Sequence, residues 1–254
     1  MKAVILAGGL GTRMKEETEF RPKPMVEIGG RPVIWHIMRG LSQQGVTDFV
    51  VLGGYKVDII KNYFLNLGAN THDFTLEAGN IKLHNLDAST SNWKVTVVDT
   101  GEETLTAGRL KLAREFIGED PFLCTYGDGL ANVPIDKLIW SHEKSGKSAT
   151  LTVYQPENRF GVLGINEIGE VVSFKEKPKM NDWINIGFFI FEPQIWDYLS
   201  HDEPLEESPL KNLVDAQQLN AFMHNGFWLP MDTYREYLLL SRLWKEGSAP
   251  WKIW

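Results

Sequence analysis

A single cysteine stands in 254 residues, so no disulfide can form within the chain. Cys124 lies in the apolar run PFLCTY, where a buried structural thiol is expected rather than a nucleophile. No apolar run is long enough to cross a bilayer as a helix. The N-terminal apolar run meets glycines and Arg13 too early for a secretory leader. Positive charge is not in excess: 26 Lys and Arg against 33 Asp and Glu leave a net charge of −7. That is the wrong sign for a protein that grips nucleic-acid backbones. These absences predict a soluble, cytoplasmic protein that binds neither nucleic acid nor membrane. A locally basic pocket for a small anion remains compatible with them. The six histidines show no zinc-ligand pairing, and no serine sits in a G-x-S-x-G elbow. Repeats, low-complexity tracts and linkers are also missing, so a single domain is expected over 1–254, with halves of about 1–147 and 148–254.

What is present is an alternation of strand and helix signals. Lys2–Ala7, Asp48–Leu52, Val95–Val98 and Phe122–Tyr126 read as buried strands. Between them, Arg31–Gln44, a stretch from about Val57 to Leu65, and Leu105–Ile117 read as helices. This order predicts an α/β fold with a doubly wound, mainly parallel central sheet and ligands beyond the carboxyl ends of its strands. After Ser148 the strands shorten: Ala149–Tyr154, Val162–Ile165, Val171–Phe174 and Ile184–Phe191. Short helices near Pro193–Leu199 and Leu210–Gln218, a strand at Asn220–Met223, and a capping box at Thr233–Glu236 opening a last helix to about Trp244 complete the pattern. Asn66–Trp93 has no clear period and reads as an excursion.

Five stretches could carry chemistry. AVILAGGLGTRM, Ala3–Met14, is a strand running into a glycine-rich turn, the usual setting for phosphate. It lacks the third glycine of G-x-G-x-x-G and is not a P-loop, and a tight turn without ligand also fits it. In RPKPM, prolines on both sides of Lys23 predict a stiff extended segment presenting an ammonium. Asp128 in YGDG follows a strand and is flanked by glycines, which suits either a Mg²⁺ ligand or a turn aspartate. In SFKEKPK, a strand would put Lys175 and Lys177 on one face and Glu176 on the other; a solvated, lysine-blunted edge fits as well. Asp232 precedes the capping threonine, where the helix dipole alone could favour it or a metal could use it.

Taken in order, G-G-x-G-T-R, P-K-P, G-D, E-K-P and a late aspartate resemble the sugar-1-phosphate nucleotidyltransferase family across essentially the whole chain. PMVEIGGRPVIWHIM, VDTG followed by GRLK, TYGDG, RFGVL, NIGFF, FWLPMDT and APWKIW are similar to its cytidylyl-transferring branch. Ile186 and Ala107 stand where the family usually has glycines. The resemblance implies a Rossmann-like nucleotidyltransferase fold, with nucleotide bound by the first half and sugar phosphate by the short-stranded second half. It implies Mg²⁺ as cofactor, and CTP and α-D-glucose 1-phosphate as partners converted to CDP-glucose and pyrophosphate.

By the same resemblance Leu6, Ala7, Gly8, Gly9, Gly11, Gly127 and Asp128 surround the nucleotide, with Thr12 and Arg13 on its β- and γ-phosphates. Lys23 would sit near the scissile bond and Arg109 on a phosphate; Asp128 and Asp232 would hold the metal. Lys177 would take the sugar's phosphate, with Gly161, Glu176 and Asn185 around the sugar. Arg13, Lys23 and Lys177 would supply the catalytic charge. A homo-oligomer is implied as well, together with the tryptophan-rich end, whose Trp228, Trp244, Trp251 and Trp254 could pack on the body or on another subunit.

Overall fold

The computed structural model describes residues 1–9, 11, 14–85 and 92–254, and Thr12 and Arg13 therefore lie outside the described residues. Strand β1, Lys2–Ala7, runs through the middle of an eight-stranded sheet. On one side it pairs in parallel with β2, Asp48–Gly53, which pairs in parallel with β3, Lys94–Asp99. On its other side it pairs in parallel with β4, Phe122–Tyr126. Successive β1 side chains point to opposite faces, so Ala3, Ile5 and Ala7 join one core while Val4 and Leu6 join another. Helix α1, Val33–Gln43, packs its Val33, Ile34, Ile37, Met38 and Leu41 into the first core. Helix α2, Val57–Leu65, adds Ile60 to it. Helix α3, Thr106–Leu112, covers the second core with Ala107 and Leu110. This is the doubly wound arrangement that continuous apolar strands require.

The second half is antiparallel where it joins the first. Strand β5, Ala149–Tyr154, pairs antiparallel with β6, Ile184–Asn185, and with β7, Phe189–Phe191, which pairs antiparallel with β4. Strand β8, Leu219–Met223, returns parallel to β5. The sheet is thus mixed, parallel across β3, β2, β1 and β4, antiparallel from β4 through β7 and β5 to β6, and parallel again where β8 pairs with β5. Helix α4, Ile135–Ser145, packs on β5 and β8, helix α5, Ser208–Asp215, on β8, and helix α6, Tyr234–Lys245, on the short ladder of Glu27–Ile28 with Arg31–Pro32.

Several expectations shift for local reasons. Helix α1 starts at Val33 because Arg31 and Pro32 are used in that ladder. Leu105–Ile117 is two short helices, the second Arg114–Ile117, broken at Ala113. The run Ile184–Phe191 is interrupted because Gly187 and Phe188 have φ of 78° and 53°. Pro22–Met25 is not extended: Lys23–Met25 forms one 3-10 turn, whose φ the prolines already match. The strand through Val171 ends at Lys175, and Lys177 has φ of 44°, so Lys175 and Lys177 do not share a strand face. Within 66–93 the described residues hold a short helix, Leu67–Thr71, and a hairpin, Phe74–Glu77 with Asn80–Leu83. The C-terminal tryptophans pack on the chain's own body: Trp251 is buried, and Trp244, Trp251 and Trp254 surround His36 of α1. Among the described residues no helix is long and apolar enough to cross a membrane.

Candidate active site

The order of β2, β1 and β4 makes a topological switch beside β1, since its two neighbours come from different parts of the chain. Such a switch opens a crevice beyond the carboxyl ends of the strands. A cavity of about 400 Å³ lies there. Its wall includes Leu6, Ala7, Gly8, Gly9 and Gly11 from the end of β1, and Gly127 and Asp128 from the end of β4. Lys23, Arg109 and Asp232 complete the expected residues that line it. The two loops are tied directly, because the Gly127 amide donates to the Leu6 carbonyl at 2.9 Å. A β-carbon at Gly127 would meet Pro24 at 2.9 Å, so the loop after β4 can approach the Lys23 turn only as glycine.

Two carboxylates converge on one ammonium. Lys23 donates to Asp128 Oδ2 at 2.7 Å and to Asp232 Oδ1. The ladder of Trp228–Pro230 with Gly129–Ala131 sets the two aspartates side by side, and the Met231 amide donates to the Asp128 carbonyl at 2.9 Å. Glu236 fixes the other side: its carboxylate accepts from the Asp232 and Thr233 amides, each at 2.9 Å, while Thr233 caps α6. Lys23 is buried, which by itself would lower its pKa. Attraction to Asp128 and Asp232 outweighs that burial and holds the ammonium above the ordinary lysine value.

Arg109 is also buried, behind the glycine turn. Its guanidinium donates to the carbonyls of Gly8, Gly53, Gly101 and Glu102 and to the Thr100 hydroxyl, over distances of 2.6–3.1 Å. These acceptors follow or end β1, β2 and β3. The guanidinium therefore clamps three strand ends together, and its two terminal nitrogens are occupied by the protein's own oxygens. A β-carbon on Gly8 would fall 2.1 Å from its central carbon, which explains glycine there. Burial lowers the Arg109 pKa, with Asp202 and Asp99 opposing.

The expected sugar-phosphate residues, Gly161, Glu176, Lys177 and Asn185, do not line this cavity. Gly161 and Glu176 are neighbours, since a β-carbon at Gly161 would lie 3.1 Å from Glu176 Oε2. Lys177 Nζ lies 3.7 Å from Glu176 Oε1, and both side chains are well exposed. Asn185 accepts from the Gly187 amide at 3.0 Å, holding the turn that interrupts the strand.

Sequence reasoning missed Thr104, Leu105, Thr106, Tyr126, Pro204 and Glu206, which also line the cavity. The segment around Pro204 reaches it because Leu105 donates to Asp202, Leu205 to the Thr106 hydroxyl, and Ala107 to the Glu203 carbonyl. The Tyr126 hydroxyl donates to Glu206; burial and that carboxylate both raise its pKa and keep it protonated. Nothing local in HDEPLEE announces this placement, which depends on contacts about a hundred residues apart.

Comparison with known proteins places these features in a family. A profile described as Nucleotidyl transferase matches residues 2–242. Glucose-1-phosphate cytidylyltransferase of Salmonella typhi is 48% identical, with the alignment covering 100% of both chains. A probable glucose-1-phosphate cytidylyltransferase of Bacillus subtilis is 42% identical, again over 100% of both. The crystal structure of HddC from Yersinia pseudotuberculosis superposes with a TM-score of 0.69 at 26% identity, covering 96% of this chain and 99% of that one. UDP-glucose pyrophosphorylase in complex with UDP-glucose, 17% identical, shares the fold with a TM-score of 0.70, covering 97% of this chain and 98% of that one. With a matching family profile over nearly its whole length and full-length relatives above 40% identity, the chain belongs to the nucleotidyl transferase family.

Proposed function

We propose that the protein transfers the cytidylyl group of CTP to α-D-glucose 1-phosphate, releasing pyrophosphate and forming CDP-glucose. The observation that carries this reading is the Asp128–Lys23–Asp232 cluster at the wall of the glycine-loop cavity. Its setting in a chain 48% identical, end to end, to a glucose-1-phosphate cytidylyltransferase supports the choice of base and sugar.

The reaction needs charge and positioning rather than a general base. A phosphate oxygen of the sugar phosphate, already ionised at neutral pH, attacks the α-phosphorus in line. The bond to the β-phosphate breaks and pyrophosphate leaves with its electron pair. Two anions must approach, so preorganised cations contribute most of the rate. Lys23 is held charged by its two aspartates at the cavity wall, and in this reading it acts on the α-phosphate. The backbone amides of Gly8, Gly9 and Gly11 are the candidates to receive phosphate oxygens in this reading. Thr12 and Arg13 belong with the β- and γ-phosphates in this reading, and Lys177, Glu176, Asn185 and Gly161 with the sugar phosphate.

Asp128 and Asp232 fit Mg²⁺. They are hard oxygen donors, and their convergence on one ammonium supports their facing a single cation. Among the described residues no set of three or more His, Cys, Asp or Glu gathers to hold an ion. Mg²⁺ is commonly held by one or two carboxylates and completes its shell with waters and phosphate oxygens. Bound there, Mg²⁺ would neutralise charge on the phosphate oxygens.

The test is pyrophosphate release with Mg²⁺ and α-D-glucose 1-phosphate, run in parallel with CTP, UTP, dTTP, ATP and GTP. A strong preference for CTP, with CDP-glucose identified by mass, is the expected result. Turnover with another nucleotide, or only with another hexose or heptose phosphate, keeps the chemistry and changes the substrate. Nucleotide binding without turnover on any sugar phosphate would replace the enzyme with a nucleotide-sugar sensor.

A further inference from the structure

Of the carboxylates that line the cavity, Asp128 and Asp232 converge on Lys23, whereas Glu206 meets no cation among the described residues. Its Oε1 accepts from the Tyr126 hydroxyl, and no group of the described residues donates to Oε2. The carboxylate is exposed, yet its backbone is firmly placed. Leu205 beside it is fully buried in the second core, and its amide donates to the Thr106 hydroxyl at 2.8 Å. Asp202 accepts from the Leu105 amide at 2.8 Å, and a β-carbon at Gly108 would fall 2.1 Å from the Asp202 carboxylate. The segment 202–206 therefore lies tight on the start of α3. Tyr126 is held in turn: its ring meets Phe189 edge-on with centroids 6.0 Å apart, and a β-carbon at Gly187 would lie 2.9 Å from it.

A carboxylate without a cation repels a triphosphate, so the wall that carries Glu206 suits an uncharged part of the substrates. Its free oxygen can only accept, and the uncharged donors that two sugar rings offer are hydroxyl groups. Tyr126 distinguishes the hexose from the ribose. The glycine packed on its ring, Gly187, gives its amide at 3.0 Å to Asn185, which the functional reading sets beside the hexose. Tyr126 thus stands between the nucleotide cavity and the turn on the sugar side.

We propose that Glu206, oriented by Tyr126, accepts a hydrogen bond from one ring hydroxyl of the hexose and so helps to select the sugar. This rests on the functional reading given above. Glu206 is then a specificity-determining residue and Tyr126 a positioning residue. A hydroxyl given to a charged acceptor makes one of the stronger hydrogen bonds, and a sugar lacking that hydroxyl leaves the carboxylate without its partner. Because Tyr126 already holds Oε1, the side chain gives up less freedom when the sugar arrives.

The test compares kcat/KM for α-D-glucose 1-phosphate with that for its 2-, 3-, 4- and 6-deoxy analogues, at saturating CTP. The wild type should lose about 10–100-fold on one of the four. Glu206→Ala should lose a similar factor on glucose 1-phosphate, turn over that one deoxy analogue as well as glucose 1-phosphate, and keep KM for CTP within about threefold. Tyr126→Phe should weaken the same discrimination and leave the other three ratios unchanged. If Glu206→Ala does not fold, Glu206→Gln, which keeps the shape and an acceptor for Tyr126, should reduce the discrimination at the same position. Unchanged discrimination in the Glu206 variant overturns the proposal and leaves the functional reading intact. So does an equal rise in KM for both substrates, or a lost preference for CTP over its 2′- or 3′-deoxy form, which would set Glu206 on the ribose. A wild type that turns over no sugar phosphate removes the functional reading and this proposal with it.

Discussion

Lys23 carries opposing influences within one side chain: burial disfavours its charge, and two aspartates restore it. The trio holds two negative charges and one positive charge at the cavity wall, which suits an added divalent cation better than a bare anion. Asp128→Asn removes one of the two carboxylates without changing shape. Turnover should fall ~10²–10⁴-fold, the range for a lost metal or electrostatic contact, and the Mg²⁺ concentration for half-activity should rise. Steady-state rates across a magnesium titration check this; near-normal turnover with the same Mg²⁺ dependence would remove Asp128 from the metal site. Lys177 is tested by the opposite pattern. Lys177→Ala should raise KM for sugar phosphate ~10-fold or more, with KM for CTP little altered. An equal rise in both constants would contradict a sugar-phosphate role.

Secondary-structure elements hold these side chains in place, and their ends matter more than their middles. Helix α6 begins with a capping box in which Glu236 accepts from the Thr233 amide and also from that of Asp232. Thr233→Ala should cost about 1 kcal/mol of stability, the usual loss for an N-cap. Glu236→Ala should cost about as much and in addition lower turnover about tenfold, because the Asp232 backbone loses its anchor. Urea denaturation beside initial rates separates the two; equal turnover in both variants would mean that Asp232 needs no such anchor. The capping box and the strand β1 were legible in local sequence, since each is defined by neighbours within a few residues. The breaks at Ala113 and at Gly187–Phe188 were not, because continuous apolar runs carry no mark of where tertiary pairing interrupts them.

Across the whole molecule, the first core is sealed by the far end of the chain. His36 on α1 accepts the Trp251 indole N–H at Nδ1, 3.4 Å away, and meets the Ile28 carbonyl through Nε2 at 2.8 Å. This network assigns the proton of the neutral ring to Nε2. Burial lowers the His36 pKa to about 4 from 6.5, against the backbone hydrogen bonds to Ile28 and Arg31, with the Arg31 charge adding a smaller fall. The native pKa lies below the unfolded one, so stability is complete above pH 6.5. It falls as the pH drops towards 4, where the unfolded chain takes up a proton that the native ring refuses. The loss should reach about 3 kcal/mol. Urea midpoints at pH 7.5 and 4.5 measure it, and His36→Gln should flatten the difference; an unchanged slope would place the acid sensitivity elsewhere.

The sequence by itself determined the alternation of strand and helix, the glycine turn after β1 and the order of the charged motifs. These follow from short-range periodicity, backbone freedom and spacing along the chain. It also carried the family, because motifs such as GGLGTR, YGDG and FWLPMDT are local strings. Only the tertiary structure decided that Asp128 and Asp232 meet on Lys23, that Arg109 clamps three strand ends, and that Glu206 reaches the cavity. Apart from the bonds of Arg109 to Thr100, Gly101 and Glu102, these contacts join residues separated by scores of positions, and their geometry is set by sheet order and packing. The hairpin of Val162–Ile165 with Val171–Lys175 belongs to the same class: its two strands were readable, but the exposure of Leu163, Ile165, Val172 and Phe174 emerged only when the chain was folded.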